Sequence, residues 1–253
     1  MEDEMKSMIF AAGLGTRLKP LTDSMPKAMV PVGGKPLLGI VLGKLRDAGV
    51  SSTCVNVYHF AGQIIAYLEN NPVPGMEISI SDERSSGLLE TGGGILAAER
   101  YLCGDSPVLI HNVDILSNLD IRLFLGSLCP DDLATLVVSE RKTSRYLLFD
   151  DDMLLRGWTD ARTGEVRGPA AGGDISAYRR LAFSGIHAVS SRIFAAMRST
   201  GFFGRFPIMD FYLRICRRVP IKGYLKTDLK LMDVGKLNTL HEAERFVEEL
   251  NKE

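Results

Sequence analysis

The chain has 253 residues, enough for one large α/β domain or two small ones with a substantial buried core. Its 30 Lys and Arg against 31 Asp and Glu leave a formal charge of -1, which removes any general attraction to nucleic acid or an anionic membrane. An anion site must therefore be local, and the scattered Cys54, Cys103, Cys129 and Cys216, with no C-x-x-C pair, read as reduced thiols rather than zinc ligands.

The acidic start MEDEMKSM lacks the basic region and apolar core of a signal peptide. No uncharged apolar run reaches the roughly 18 residues of a membrane span, so the expectation is a cytoplasmic protein. Residues 8–12 read as the first strand. Residues 37–48 carry apolar positions at helical spacing and meet Gly49, a glycine cap. A strand at 53–57, a helix at 63–69, a strand at 76–80, a helix at 94–99 and a buried strand at 107–110 follow. Such alternation is the pattern of βαβ units around a mostly parallel sheet.

Beyond residue 112 the spacing changes. Residues 134–139, 146–149, 153–156 and 181–189 are strand candidates with hairpin-like links, and Asp150-Asp151-Asp152 is a turn. Residues 163–177, rich in Gly and Ala, read as a loop or lid. Helices at 207–217 and 236–249 close the chain. There is no repeat and no long linker, so the whole of 1–253 reads as a single domain with an antiparallel lobe.

The first strand breaks into Gly13-Leu14-Gly15-Thr16-Arg17, a loop able to bring backbone N–H groups to phosphate oxygens. A dinucleotide fingerprint needs a third glycine where Leu18 stands, and Gly34-Lys35-Pro36 lacks the spacing and hydroxyl of a P-loop. Both are disfavoured, leaving a phosphate cradle with Arg17 and Lys27 as cations.

Taken together, Gly13-x-Gly15-Thr16-Arg17, Thr22 and Pro26-Lys27 resemble the signature loop of the sugar-phosphate nucleotidyltransferases, the NDP-sugar pyrophosphorylases. The likeness continues through VGGKPL at 32–37, LETGGGI at 89–95, Asn112-Val113-Asp114, FSGI at 183–186 and Asp233-Val234-Gly235. The length and the LETGGGI and FSGI runs are most similar to the N-acetylmuramate-1-phosphate uridylyltransferase group. That resemblance implies a Rossmann-like three-layer α/β/α fold, the nucleotide-diphospho-sugar transferase fold. Its nucleotide-binding half would cover about 1–120, and an antiparallel sugar-binding half about 121–253.

The implied reaction joins a sugar 1-phosphate to the α-phosphorus of an NTP, with UTP favoured, and expels pyrophosphate. The attacking oxygen is already ionised, so the work is positioning and charge neutralisation. By resemblance, Arg17 and Lys27 are the catalytic cations, and Asp114 and Asp233 hold Mg²⁺, which prefers a few hard oxygen ligands. Ala11, Ala12, Gly13, Gly15, Thr16, Gly87, Glu90 and Thr91 are expected to meet the nucleotide, and Gly92, Asn112 and Gly185 the sugar. Two departures stand out: Val113 where the family commonly has Gly, and SAYRRLAFSG where it often has E-K-P.

Other readings of the same residues differ in class. A mannose- or heptose-1-phosphate guanylyltransferase or a phosphocholine cytidylyltransferase would share the chemistry. A non-catalytic nucleotide-sugar-binding regulator could lose the cations and carboxylates that this chain keeps. An acetyltransferase-type repeat is not expected, because the sequence ends within one helix after Asp233-Val234-Gly235. Arg179 and Arg180 read as a solvated pair. His59, His111 and the single Trp158 have no evident catalytic partner. Phe202, Phe203, Phe206, Phe211 and Tyr212 read as core or as a surface for a second copy of the chain.

Overall fold

The structure, a computed structural model, describes residues 5–235, 237–250 and 252. The chain opens with β1 (Lys6–Phe10), whose three central residues are buried. The glycine loop and three single 3-10 turns lead to a small hairpin, β2 (Pro31–Val32) and β3 (Lys35–Pro36), and then to α1 (Leu37–Asp47). This helix buries Leu38, Val41, Leu42 and Leu45 along one stripe, the spacing of an amphipathic helix seated on a sheet.

Next come β4 (Ser52–Val57), α2 (Ala61–Asn70), β5 (Glu77–Asp82), α3 (Glu90–Ala97), α4 (Glu99–Leu102) and β6 (Val108–Asn112). β1 pairs in parallel with β4 and with β6, and β4 pairs in parallel with β5. The resulting order, β5-β4-β1-β6, reverses its direction of growth between β1 and β6. A crevice opens beyond the carboxyl ends of strands at such a switch point, where open α/β sheets hold their ligands.

The second half supplies β7 (Ile115–Ser117), α5 (Ile121–Gly126), β8 (Ala134–Ser139), β9 (Arg145–Phe149), β10 (Leu155–Asp160), β11 (Glu165–Arg167) and β12 (Arg179–Val189). It ends with α6 (Arg192–Ser199), α7 (Ile208–Ile215), β13 (Ile221–Leu225), β14 (Leu231–Asp233) and α8 (Leu240–Leu250). β12 is the strand that joins the two regions. Its residues 186–189 run antiparallel to β6, and its residues 179–181 run antiparallel to β9. β10 and β11 extend this antiparallel edge, while β13 pairs with β8 and β14 pairs with β7.

Helices cover both faces. One core gathers α1, α2, α5 and Ala243 of α8 around Ile9, Val55 and Leu109, and the other gathers α3, α6 and α7 around Met8, Ile110 and Leu136. The expected mostly parallel three-layer sheet with an antiparallel lobe is the architecture observed. No helix among the described residues is long and apolar enough to cross a membrane.

Several expected boundaries move. The helix read at 94–99 begins at Glu90, because its glycines are packed against another segment instead of lying in a free loop. The stretch read as a loop, 163–177, contains β11 paired to β10, and Ala170 is buried. The strand read at 153–156 runs from Leu155 to Asp160, since Met153 has left-handed φ and closes the preceding turn. The closing helix is a 3-10 turn at Leu237–Thr239 followed by α8, and Lys236 lies outside the described residues. Of the aromatic cluster, Phe206, Phe211 and Tyr212 are core, Phe202 packs against them, and Phe203 is exposed.

Tyr212 is fully buried, and among the described residues its hydroxyl has no hydrogen-bond partner. Burial raises its pKa well above the ordinary value, so the group is neutral. Tyr212→Phe removes a buried, unsatisfied hydroxyl and keeps the ring packing on Phe211 and His187. Its melting temperature is expected to match or exceed the parent's, by up to about 1 kcal/mol of stability. A clear loss in a thermal melt would show that the hydroxyl is bonded.

Candidate active site

A cavity of about 600 Å³ occupies the crevice beyond β1 and β6. Its lining includes Ala11, Ala12, Gly13, Gly15, Thr16, Arg17 and Lys27 from the first half of the loop, Glu90 and Thr91 from α3, and Asn112 and Asp114 from the end of β6. Three segments far apart in sequence thus converge because each follows the carboxyl end of a strand or opens a helix on the same side of the sheet.

The glycine loop is folded by its own contacts. Gly15 sits at φ +64°, in the left-handed region, and a Cβ there would lie 2.8 Å from Thr22 Cγ2 and 3.1 Å from Lys27 Cβ. Thr22 Oγ1 donates to the Gly15 carbonyl at 2.9 Å, locking the turn and setting Lys27 beneath it. Lys27 is only 8% exposed and is ion-paired with Asp114. A charge so placed needs its partner, because an isolated buried ammonium is costly.

Asp233, half exposed, lies beside this pair, carried in by β14. Ile115 on β7 pairs with Asp233, and the Val234 N–H donates to the Asp114 carbonyl at 2.8 Å, so both carboxylates ride on one short ladder. Burial is the main cause that raises the Asp233 pKa. The charge of Asp114 and a hydrogen bond shared with it push the same way, against Lys27 and Arg17. Arg17 Nη2 stands 3.9 Å from Asp233 Oδ2. Gly235 fills the gap: a Cβ there would meet Asp233 Oδ1 at 2.7 Å and Arg17 Nη2 at 2.9 Å.

Two carboxylates facing one another repel unless a cation lies between them, so this donor set fits a divalent metal with hard oxygen ligands. Among the described residues no cluster of three or more His, Cys, Asp or Glu forms a metal cage. Asp114 and Asp233 would hold such an ion with phosphate oxygens completing its shell, the arrangement Mg²⁺ favours.

The second glycine stretch is a wall of the cavity. Glu90 has φ +61°, and its carboxylate accepts from Arg205 Nε at 2.8 Å. Thr91 Oγ1 accepts the Ile208 N–H at 2.9 Å, so this hydroxyl caps α7 rather than its own helix. Gly92 and Gly93 donate N–H bonds to the Phe206 carbonyl at 2.9 and 3.2 Å. At Gly93 a Cβ would fall 2.1 Å from the Gly204 carbonyl oxygen, a backbone atom with no rotamer to move. Gly93→Ala should therefore cost about 1–3 kcal/mol of stability; an unchanged urea midpoint would refute the tight contact.

Four residues named from sequence lie outside the lining. Gly87 precedes Leu88, which does line it; Gly92 is packed under the Phe206 ring; Gly185 has φ +83° and lies against Asn112; Asp233 shares a hydrogen bond with Asp114. Arg179 and Arg180, exposed at the start of β12, are not in the wall.

Sequence reasoning missed Asn56 and Glu83, both in the lining and almost fully buried. Asn56 Oδ1 accepts from the N–H groups of Ala11 at 2.8 Å and Ala12 at 3.3 Å, while its Nδ2 donates to Glu83 Oε1 at 2.7 Å. Glu83 Oε2 accepts the Leu89 N–H at 3.0 Å. Burial raises the Glu83 pKa, with the hydrogen bonds from Leu89 and Asn56 opposing. The pair ties the first glycine loop to the second. Its signal in the sequence is slight: a polar residue near the end of β4 and an acid just past the end of β5.

Fold and site define a Rossmann-like α/β protein with a cleft where Arg17 and Lys27 meet Asp114 and Asp233. The family model for nucleotidyl transferases matches residues 6–146, and the chain belongs to that family. It is 46% identical over 110 residues to the N-acetylmuramate alpha-1-phosphate uridylyltransferase of Caulobacter vibrioides, covering 43% of this chain and 45% of that one. Identity is 42% over 116 residues with the enzyme of the same name from Neisseria meningitidis serogroup B, covering 46% and 49%. These matches span about half the length of the curated relatives. The fold is shared with HddC from Yersinia pseudotuberculosis, at a TM-score of 0.74 and 24% identity over 96% of this chain and 99% of that one. It is also shared with a UDP-glucose pyrophosphorylase solved with UDP-glucose, at a TM-score of 0.75 and 18% identity over 97% and 98%.

Proposed function

We propose that the protein transfers a nucleotidyl group from an NTP to a sugar 1-phosphate and releases pyrophosphate, with UTP and N-acetylmuramate 1-phosphate as the substrates. The observation that carries this reading is the meeting of Lys27, Asp114, Asp233 and Arg17 at one end of the cleft. The named relatives from Caulobacter vibrioides and Neisseria meningitidis supply the choice of substrates. On this reading the activity belongs to cell-wall recycling in the cytoplasm.

In this mechanism the sugar phosphate oxygen attacks the α-phosphorus in line while the bond to pyrophosphate breaks. Lys27, at the base of the loop, lies where it bridges the α-phosphate and the incoming phosphate, which cancels their repulsion. Arg17, exposed at the rim, neutralises charge on the leaving pyrophosphate. Backbone N–H groups of the Gly13–Thr16 turn receive the phosphate oxygens. The small Ala11, Ala12 and Gly13 let main-chain groups read the base, and Glu90, Thr91 and Gly87 flank the nucleoside. At the sugar end Asn112, in the lining, supplies the polar contact, with Gly185 packed behind it and Gly92 packed under Phe206 behind the Glu90–Thr91 wall. Mg²⁺ held by Asp114 and Asp233 would neutralise developing phosphate charge. No side-chain nucleophile is needed.

A grid of the four NTPs against N-acetylmuramate, glucose and mannose 1-phosphates with Mg²⁺, read by pyrophosphate release, tests this. UTP with the muramate is expected to be the fastest pair. A different fastest pair would reassign the substrates, and no release from any pair would leave a nucleotide-binding protein without catalysis.

A further inference from the structure

A second cavity, of about 470 Å³, lies behind the metal-binding turn, between α1, β7 and α8. Ile40, Ile115, Val247 and Leu250 give it apolar walls, while Lys35, Lys44 and Arg46 line it with positive charge. Among the described residues that line it, Asp47 is the one carboxylate, and that is engaged by Arg46 at 2.6 Å. Lys44 also borders an adjoining cavity of about 300 Å³, so the residue stands between two open spaces.

The environment of Lys44 is unusual for a cation. Its Nζ donates to the Ser117 carbonyl and, at 3.2 Å, to Ser117 Oγ. Among the described residues no carboxylate lies within ion-pair distance of it. Asp120, the acid whose field reaches Lys44, is occupied in capping α5, accepting the Leu123 N–H at 2.9 Å. Burial lowers the Lys44 pKa to about 8, the cost of an ammonium with neutral partners only. Buried charges in proteins are ordinarily paired, and apolar pockets with a single well-placed charge are the usual form of a small-molecule site.

We propose that this cavity binds a small organic anion. The anionic head, a carboxylate or a phosphate monoester, pairs with Lys44, and the apolar body lies between Ile40, Val247 and Leu250. The site is independent of the transfer reaction. It nevertheless touches the ladder that places the metal ligands, because Ser117 pairs with Leu231 two residues before Asp233. An occupant would fix β7 and β14 together.

The test is calorimetric titration of the full chain with octanoate, octyl phosphate and octanol, which share a chain and differ in head group. Lys44→Met keeps length and removes charge, and is expected to weaken octanoate and octyl phosphate at least about tenfold while leaving octanol unchanged. Val247→Trp, which fills the apolar wall and keeps Lys44, is expected to weaken all three. Lys27→Met, in the main cleft, should leave these affinities alone. Tighter octanoate points to a carboxylate occupant and tighter octyl phosphate to a phosphate one. Equal octanoate affinity in parent and Lys44→Met, displacement through Lys27→Met, or no binding of either anion at millimolar concentration overturns the proposal. Should Lys44→Met not fold, the Val247→Trp comparison decides alone.

Discussion

Lys27→Met is expected to lower turnover about 10²- to 10³-fold while nucleotide affinity changes little, the size of effect seen when one preorganised charge is removed from a transferring group. The reason is its position. Lys27 is 8% exposed at the floor of the loop and paired with Asp114, so in the proposed mechanism it meets the phosphates where they react rather than where the nucleoside is gripped. The same substitution has a second consequence. Without Lys27, Asp114 and Asp233 face each other with only Arg17, 3.9 Å from Asp233 and largely exposed, to offset their repulsion. The metal-free variant should lose up to about 3 kcal/mol of stability, as when one member of a buried pair is deleted. Mg²⁺ should restore more stability to the variant than to the parent, because Lys27 competes with it for Asp114. Steady-state kinetics and thermal melts with and without Mg²⁺ check both statements. An unchanged turnover number refutes the catalytic role, and an equal Mg²⁺ effect refutes the two-carboxylate metal site.

The parallel half of the sheet was legible because each strand is an apolar run ended by Gly or a polar residue, and the connecting helices keep a 3.6-residue period. Asp114 was legible for the same reason: it ends such a run. Asp233 could be named only by resemblance, since its place depends on β14 pairing with β7, a contact across more than a hundred residues that no local pattern announces. The start of α3 was misread for a physical cause. Three consecutive glycines disfavour a helix, yet here the Phe206 carbonyl and the Gly204 backbone hold them in one. Thr91 likewise looks like a cap for its own helix, and only the fold shows that it caps α7. The 163–177 segment carries loop composition, but β10 offers it an edge to pair with. The β10–β11 pair is a local hairpin, but the contacts that place Asp233, Thr91 and the glycines of α3 all have partners more than a hundred residues away.

Asn56 shows how much one such contact carries. Asn56→Asp keeps the acceptor for the Ala11 and Ala12 N–H groups but replaces the donor to Glu83, 2.7 Å away, with a second carboxylate oxygen. Two buried acids at that distance cannot both ionise, so the pair holds one proton and its upper pKa rises above the values of the separate groups. The folded state then binds a proton that the unfolded chain has released. Stability is full below the unfolded carboxylate range and is lost as pH rises through the folded value. The parent already shows the direction, since burial raises Glu83. The deficit of Asn56→Asp relative to the parent should therefore be small near pH 5 and grow to about 2–4 kcal/mol at pH 8. Nucleotide affinity should follow the same trend, because the Ala11–Ala12 backbone and the Leu89 turn are both held through this pair. Urea unfolding and nucleotide titration at pH 5.5 and 8 measure it. A deficit independent of pH would mean that the carboxylates part and the loop is anchored by something other than the Asn56–Glu83 bond.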